Sequence, residues 1–383
     1  MRTLKHMAIN AMLALFTLAL LGVGTEFALR LLLPLPETHV PGERFNEDRT
    51  GFRPGTTWTI IEPEFVERIS INSLGVRDTE IDPAKPVIIF LGDSQTFGTG
   101  VNQGERFSDL VRQALVKGCR KEAYQVLNVA MPGADTHSEL SMLQRLMHNH
   151  DLRPLKIFLC ITGNDHQANH AALTAKRVES RLAHDMEMNA NSSAPHPFWQ
   201  WVKSVRYSSR LVVFVLQRLE QFQWFRDLYT ELKHRLGAGE INQAGWIYLD
   251  SPVLDQWLAA TEYYLEQLNA VGPTSVVLIP DRYRYDSALR EKAREHLVLT
   301  GKNPEQIDFS AESAKISTMC DRLNVPFLDP ADVFANHENS SKLHYAINGH
   351  ATPAGHELTA QFLLQHSTFL REALYSCGGA SLD

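Results

Sequence analysis

Five short apolar runs constrain this chain more than any other feature: Val87 to Leu91, Val126 to Val129, Ile157 to Ile161, Ser275 to Ile279 and Val325 to Leu328. Each is one strand long and lacks the polar alternation of a half-exposed strand, so each reads as a parallel strand covered on both faces. Helical stretches separate them at Glu105 to Lys117, Thr136 to Asn149, Val253 to Val271, Asp286 to Leu299 and Ala311 to Leu323, and a last helix is expected over Glu357 to Leu374. Strand and helix in repetition predict an α/β fold, a doubly wound parallel sheet with helices on both faces. At 383 residues the chain suits one large domain with insertions, or two domains. Its 44% hydrophobic content is enough to fill such a core, and a formal charge of -7 offers no basic field for nucleic acid.

One interval breaks the rhythm. Between the third and fourth runs lies a long insertion, about 181–249, with a polar stretch near Ala190 to Pro197 and an aromatic amphipathic part over Phe198 to Leu236. It reads as helical and is a candidate lid or substrate wall. The plainer alternatives are that Trp199, Trp201, Trp224 and Phe225 are its own packing, or that this face lies on a membrane surface.

The amino terminus is a membrane element. Arg2, Lys5 and His6 precede an apolar stretch from Met7 to Thr25, with Glu26 after it. About 19 residues of helix nearly match a hydrocarbon core of roughly 30 Å. Positive charge before the span predicts a cytoplasmic amino terminus, with everything downstream on the other side. The favoured reading is an uncleaved single-pass anchor over 1–33, because the apolar pattern resumes at Phe27, Ala28, Leu29 and Leu31 to Leu33; the alternative is secretion after cleavage of a signal with Gly22-Val23-Gly24 as its small-x-small site. Residues 34–85 then form an extended juxtamembrane region with strand-like pieces at Thr57 to Ile61 and Arg68 to Ile71, and residues 86–383 hold the main domain. The four cysteines show no CxxC or Cys/His spacing of a metal site, so no metal is expected, and an even count permits a disulfide such as Cys119 to Cys377 without requiring any pairing.

The chemistry-bearing residues follow the strands. After the first run the chain turns at Gly92-Asp93-Ser94, where open α/β sheets bind ligands; the bland reading of Ser94 is a helix cap. The second run leads to Met131-Pro132-Gly133-Ala134-Asp135, the third to Thr162-Gly163-Asn164-Asp165, and Asn348-Gly349-His350 precedes the last helix. Acyl transfer needs a hydroxyl nucleophile, an imidazole base and donors where the oxyanion forms. Ser94, His350, Gly133 and Asn164 have the chemistry for those roles.

The ordered blocks GDSQTFGTGV, NVAMPGAD, TGND and INGHATPAGH resemble those of the SGNH (GDSL) hydrolases, across roughly Pro86 to Ser180 and Pro252 to Leu374. The resemblance implies esterase activity on a flavodoxin-like, three-layer α/β/α fold with a five-stranded parallel sheet and no cofactor. It assigns the nucleophile to Ser94, the base to His350, and the oxyanion hole to the backbone N–H groups of Ser94 and Gly133 with the side chain of Asn164. The anchor together with ISINSLGVRD is similar to a bacterial membrane-anchored subgroup whose catalytic domain is periplasmic. An acyl ester, such as an acetyl group on a small molecule or cell-envelope polysaccharide, is then the expected substrate.

One position departs from the family. The aspartate expected two or three residues before the histidine is replaced by Asn348 and Ile347. An Asn oxygen can accept the imidazole N–H, but replacing a triad Asp can cost about 10⁴ in turnover. Three explanations follow: a Ser-His dyad helped by Asn348 or a carbonyl; a carboxylate from elsewhere, such as Asp329, Asp332 or Glu338; or weak activity in a domain that chiefly binds an acylated glycan. An O-acyltransferase is a further alternative. His344 is a weaker candidate base, as is His356, which matches the family's helix-start histidine.

Overall fold

The computed structural model describes residues 2–32, 44–46, 51–62, 64–118, 124–182, 209–219, 251–287, 307–346 and 348–376, with 222, 224, 225, 228, 289–291, 294 and 298. Cys119, Cys377, Ile347, Trp199 and Trp201 lie outside the described residues, as does most of the insertion. The chain divides into two compact units.

The smaller unit contains helix α1 (Arg2–Leu32). Its window Met12–Leu31 has a mean hydropathy of 1.9 and none of it is buried, so it is long and apolar enough to cross a membrane. A described helix of the insertion, Arg210–Leu219, packs on α1 within the same unit. Glu26 joins the two: its Oε2 accepts the Leu211 N–H at 2.7 Å and the Ser209 hydroxyl at 3.0 Å. That carboxylate occupies the start of the second helix, where unpaired N–H groups and the helix dipole favour a negative charge.

The larger unit begins with a two-stranded element, β1 (Thr57–Ile61) and β2 (Val66–Ser70). A five-stranded sheet follows, built from β3 (Val87–Gly92), β4 (Gln125–Ala130), β5 (Pro154–Ile161), β6 (Thr274–Leu278) and β7 (Phe327–Leu328). Its order is β4-β3-β5-β6-β7 and every pairing is parallel. This is the flavodoxin-like order, and its reversal point lies between β3 and β5.

The side-chain period of two divides the sheet between two cores. One face sends Ile89, Leu91, Leu127, Val129, Ile157 and Leu159 onto the helices Thr136–His150, Pro252–Val271 and Ala311–Leu323. The other sends Ile88, Phe90, Val126, Phe158 and Cys160 onto Phe107–Gly118, Pro353–His366 and Thr368–Ser376. These are the three expected layers. Asp135, Ser251 and Thr352 each cap the helix that follows, by accepting the N–H of Ser138, Leu254 and Gly355.

One expectation changes. The final helix is broken at Ser367, whose hydroxyl oxygen accepts the Leu370 N–H, so serine capping chemistry restarts a helix that hydropathy reads as continuous. The small β element has a core of its own: Phe52, Trp58, Ile60, Phe65, Ile69 and Ile71 cluster with Phe97 and Ala130. It packs against the segments leaving β3 and β4. The expected helix over Asp286 to Leu299 is described only in part. Cys160 and Cys320 are free and buried, and burial pushes both thiols up, that of Cys320 to about 12.

Candidate active site

Three neighbouring strands end together. Gly92 at the end of β3 pairs with Ala130 of β4 and with Cys160 of β5, so the loops carrying Ser94, Gly133 and Asn164 leave the same edge of the sheet. Buried apolar strands must stop where the chain needs polar atoms, and here β3 and β4 stop in register with β5 one residue further on.

Ser94 opens a one-turn helix, Ser94–Phe97, closed by Gly98 at a left-handed φ of 84°. A side chain at Gly98 would also collide with the Arg106 stem at 2.5 Å. Asp93, buried beneath, accepts the Gln95 N–H at 2.9 Å and the Thr162 hydroxyl at 2.9 Å, which ties the end of β5 to the serine turn. Gly133 has φ 75° in a turn closed by Ala134 N–H to Met131 carbonyl at 3.0 Å. Pro132 followed by a left-handed glycine is type II turn chemistry. Asn164 is exposed in the first turn of the helix Gly163–Leu182, with its Oδ1 2.7 Å from Thr162 Oγ1, whose one proton goes to either Asn164 or Asp93.

His350 arrives from 256 residues further along. It sits on a tight hairpin closed by the His344–Ala351 bridge, by Tyr345 N–H to the His350 carbonyl at 2.8 Å and by Gly349 N–H to the Tyr345 carbonyl at 3.1 Å. Its Nε2 lies 2.8 Å from Ser94 Oγ and its Nδ1 lies 2.5 Å from Asn348 Oδ1. An amide oxygen can only accept, so Nδ1 carries the proton and Nε2 is left as the acceptor facing the serine hydroxyl. Gln95, next to the serine, accepts the Ala351 N–H at 3.1 Å and fastens the hairpin to the turn. Burial pulls the imidazole below its ordinary value and Asp93 pulls it back up, so at neutral pH the ring is a free base.

The remaining residues singled out in the sequence have other partners. Asp329 grips Arg284 at 2.6 and 3.0 Å and accepts the Ser313 hydroxyl. Asp332 lies in the helix Ala331–Asn336, and Glu338 accepts from Asn339 at 3.2 Å. Asn348 is the residue on His350 Nδ1. His344 pairs with the Tyr285 hydroxyl, while His356 accepts the Phe107 N–H at 3.3 Å; burial lowers both to about 3. Among the described residues no group of three or more His, Cys, Asp or Glu side chains could hold a metal ion.

Sequence reasoning missed the charges behind the serine turn. Arg77, fully buried, donates to the carbonyls of Phe97, Gly98 and Val101 at 3.1, 2.9 and 2.6 Å and to Glu67 at 2.5 Å. Glu67 accepts the Gly100 N–H at 2.9 Å as well. Burial lowers Arg77 to about 10, which leaves it charged at neutral pH. Arg106, equally buried, grips Asp109 at 2.6 and 2.9 Å and the Arg77 carbonyl at 2.5 Å. The arginine two residues after the glycine of LGVRD was the available signal.

The GDSL-like Lipase/Acylhydrolase family model matches residues 90–358 of this chain. The chain belongs to this family. Its members are hydrolases of acyl esters, and the parallel sheet described above is the SGNH fold. Solved structures similar to this SGNH hydrolase include a lipolytic protein of the G-D-S-L family from Veillonella parvula, at 13% identity and TM-score 0.38, over 74% of this chain and 98% of that one. A lipase/acylhydrolase from Enterococcus faecalis is 14% identical with TM-score 0.38, over 76% and 96%. An acetylxylan esterase from Geobacillus stearothermophilus is 12% identical with TM-score 0.35, over 75% and 95%. No curated protein matches the sequence.

Proposed function

We propose that this chain is a membrane-anchored serine esterase whose nucleophile is Ser94 and whose base is His350. The observation that carries the reading is the continuous hydrogen-bonded line from Asn348 Oδ1 through both ring nitrogens of His350 to Ser94 Oγ. In the first half-reaction Ser94 Oγ attacks the ester carbonyl while its proton passes to His350 Nε2. Donors from the backbone N–H groups of Ser94 and Gly133 and from the Asn164 side chain stabilise the oxyanion, and collapse expels the alcohol, which takes the proton from His350. Water, deprotonated by the same nitrogen, attacks the acyl-enzyme; the bond to Ser94 Oγ breaks, His350 returns the proton to that oxygen, and the carboxylic acid leaves. Every step uses groups of this chain and water.

Asn348 serves as the orienting residue in place of an aspartate: it holds the tautomer but adds no charge to stabilise the imidazolium. This makes the enzyme a slow one. It also favours a second reading, a protein that binds an acyl glycan with little turnover. An O-acyltransferase is a third, distinguished by product analysis with a sugar acceptor present. The apolar helix supports attachment to a membrane, the basic residues before it and Glu26 after it favour a bacterial inner membrane with the hydrolase domain in the periplasm, and an acetyl ester of a cell-envelope polysaccharide is the substrate class we favour. The test is hydrolysis of p-nitrophenyl acetate by the full chain in detergent. Ser94→Ala and His350→Ala are each expected to lose about 10⁴-fold or more in turnover; equal rates in all three proteins contradict the proposal.

A further inference from the structure

The residues assigned above all fall within 90–358, the span shared with the family. The hairpin that carries His350 is held from outside that span. The backbone N–H groups of Ala346 and Asn348 both donate to Glu64, one to each carboxylate oxygen and each at 2.8 Å. Glu64 belongs to the segment entering β2, 282 and 284 residues earlier in the chain. Two amides on one carboxylate hold the backbones of Ala346 and Asn348 in a set orientation, because each bond is charge-assisted.

The same short segment also holds the serine side. Phe65 packs on the Tyr345 ring at 5.0 Å between centroids, and the Tyr345 hydroxyl donates to the Gly100 carbonyl at 2.9 Å. Glu67 takes the Gly100 N–H and the Arg77 guanidinium. Residues 64–67 therefore touch both the loop after Ser94 and the hairpin before His350.

A neutral Asn348 makes this hold matter. A carboxylate at that position would accept the imidazole N–H through either oxygen. An amide presents an acceptor on one side only; rotated, it would donate to Nδ1 and drive the proton to Nε2, where the ring can no longer take one from Ser94. Whether Oδ1 can reach Nδ1 at all depends on where the Asn348 backbone is held.

We infer that Glu64 is a positioning residue for the base: its carboxylate clamps the Ala346 and Asn348 amides, so that Asn348 holds His350 in the productive tautomer facing Ser94. The inference rests on the proposed roles of Ser94 and His350, and extends the working site to the β element ahead of the family domain.

The experiment compares Glu64→Ala, Glu64→Gln and Glu64→Asp with the unaltered full chain, using Ser94→Ala as control. The readouts are kcat and KM for p-nitrophenyl acetate, the rate of fluorophosphonate labelling, and the unfolding temperature. Glu64→Ala is expected to lower kcat about 10–100-fold, the scale of a small misplacement of a reacting group, with KM within about twofold. The labelling rate falls by the same factor while the fraction of sites finally labelled and the unfolding temperature are retained. Glu64→Gln keeps the shape but turns an N–H donor towards one of the two amides, so it fails as alanine does; Glu64→Asp keeps charge and both acceptors and recovers part of the rate. Retention of kcat within about twofold in the alanine and glutamine variants overturns the inference, as does a loss matched by fewer labelled sites or a lower unfolding temperature, which marks a folding role only. Hydrolysis that survives in Ser94→Ala defeats instead the reading of the site on which the inference stands.

Discussion

Ser94 and His350 meet across a single hydrogen bond but are supported in different ways. The serine stands at the end of a strand whose six residues are all buried, and the turn after it hangs by three carbonyls from Arg77, a cation with no exposed surface. The histidine stands on a half-buried hairpin, closed by a few backbone bonds and fastened by Gln95, Glu64 and a neutral amide. The serine side is thus part of the core, and changing its supports changes folding. On the proposed roles, changing the supports of the histidine side is expected to change rate rather than folding.

The largest expected effect lies on the serine side. Arg77→Ala removes the cation from a buried pair and leaves Glu67 with no opposite charge beside it, which costs about 3–5 kcal/mol of stability. Denaturant unfolding measures this directly, and a loss below about 1 kcal/mol would erase the contrast between the two sides. Activity should fall only as far as the folded fraction falls.

A smaller and opposite effect is expected at Asn348. Asn348→Asp sets a carboxylate against His350 Nδ1, where it stabilises the imidazolium formed as Ser94 gives up its proton. Plateau kcat should rise about tenfold, a change of about 1.4 kcal/mol in the barrier. The acid limb moves too. The base must be unprotonated, so activity fails as pH drops through the His350 pKa, which burial holds below its ordinary value of about 6.5. The added carboxylate raises that pKa, so the limb of the variant lies about one unit or more higher in pH than that of the unaltered chain. A limb that stays where it was would show that Asn348 does not control the ring. Stability should change little in this variant, which sharpens the contrast with Arg77.

What could be read beforehand follows the same division. The strands were legible because residues buried on both faces must be continuously apolar, and Val87 to Leu91 can be little else. Ser94 was legible because it follows such a run at once. The clamp was not legible. Glu64, Glu67 and Arg77 sit in a region rich in charge, Pro and Gly that reads as a loop, and nothing local pairs Glu64 with amides 282 residues away. The replacement of aspartate by Asn348 was visible, but what compensates for it depends on that distant pairing. Helix breaks ruled by one hydroxyl, such as Ser367, stay hidden for a related reason: a serine inside a helical pattern looks the same whether or not it caps.

The central claim is that one alcohol in this chain is activated, and that His350 activates it. The most direct measurement is the rate and site of labelling by a fluorophosphonate, read by mass spectrometry on the full chain and on His350→Ala. Rapid modification of Ser94 alone, slowed by about 10²–10⁴-fold in the variant, is the expected result. Labelling at another residue, or equal rates in both proteins, would contradict it.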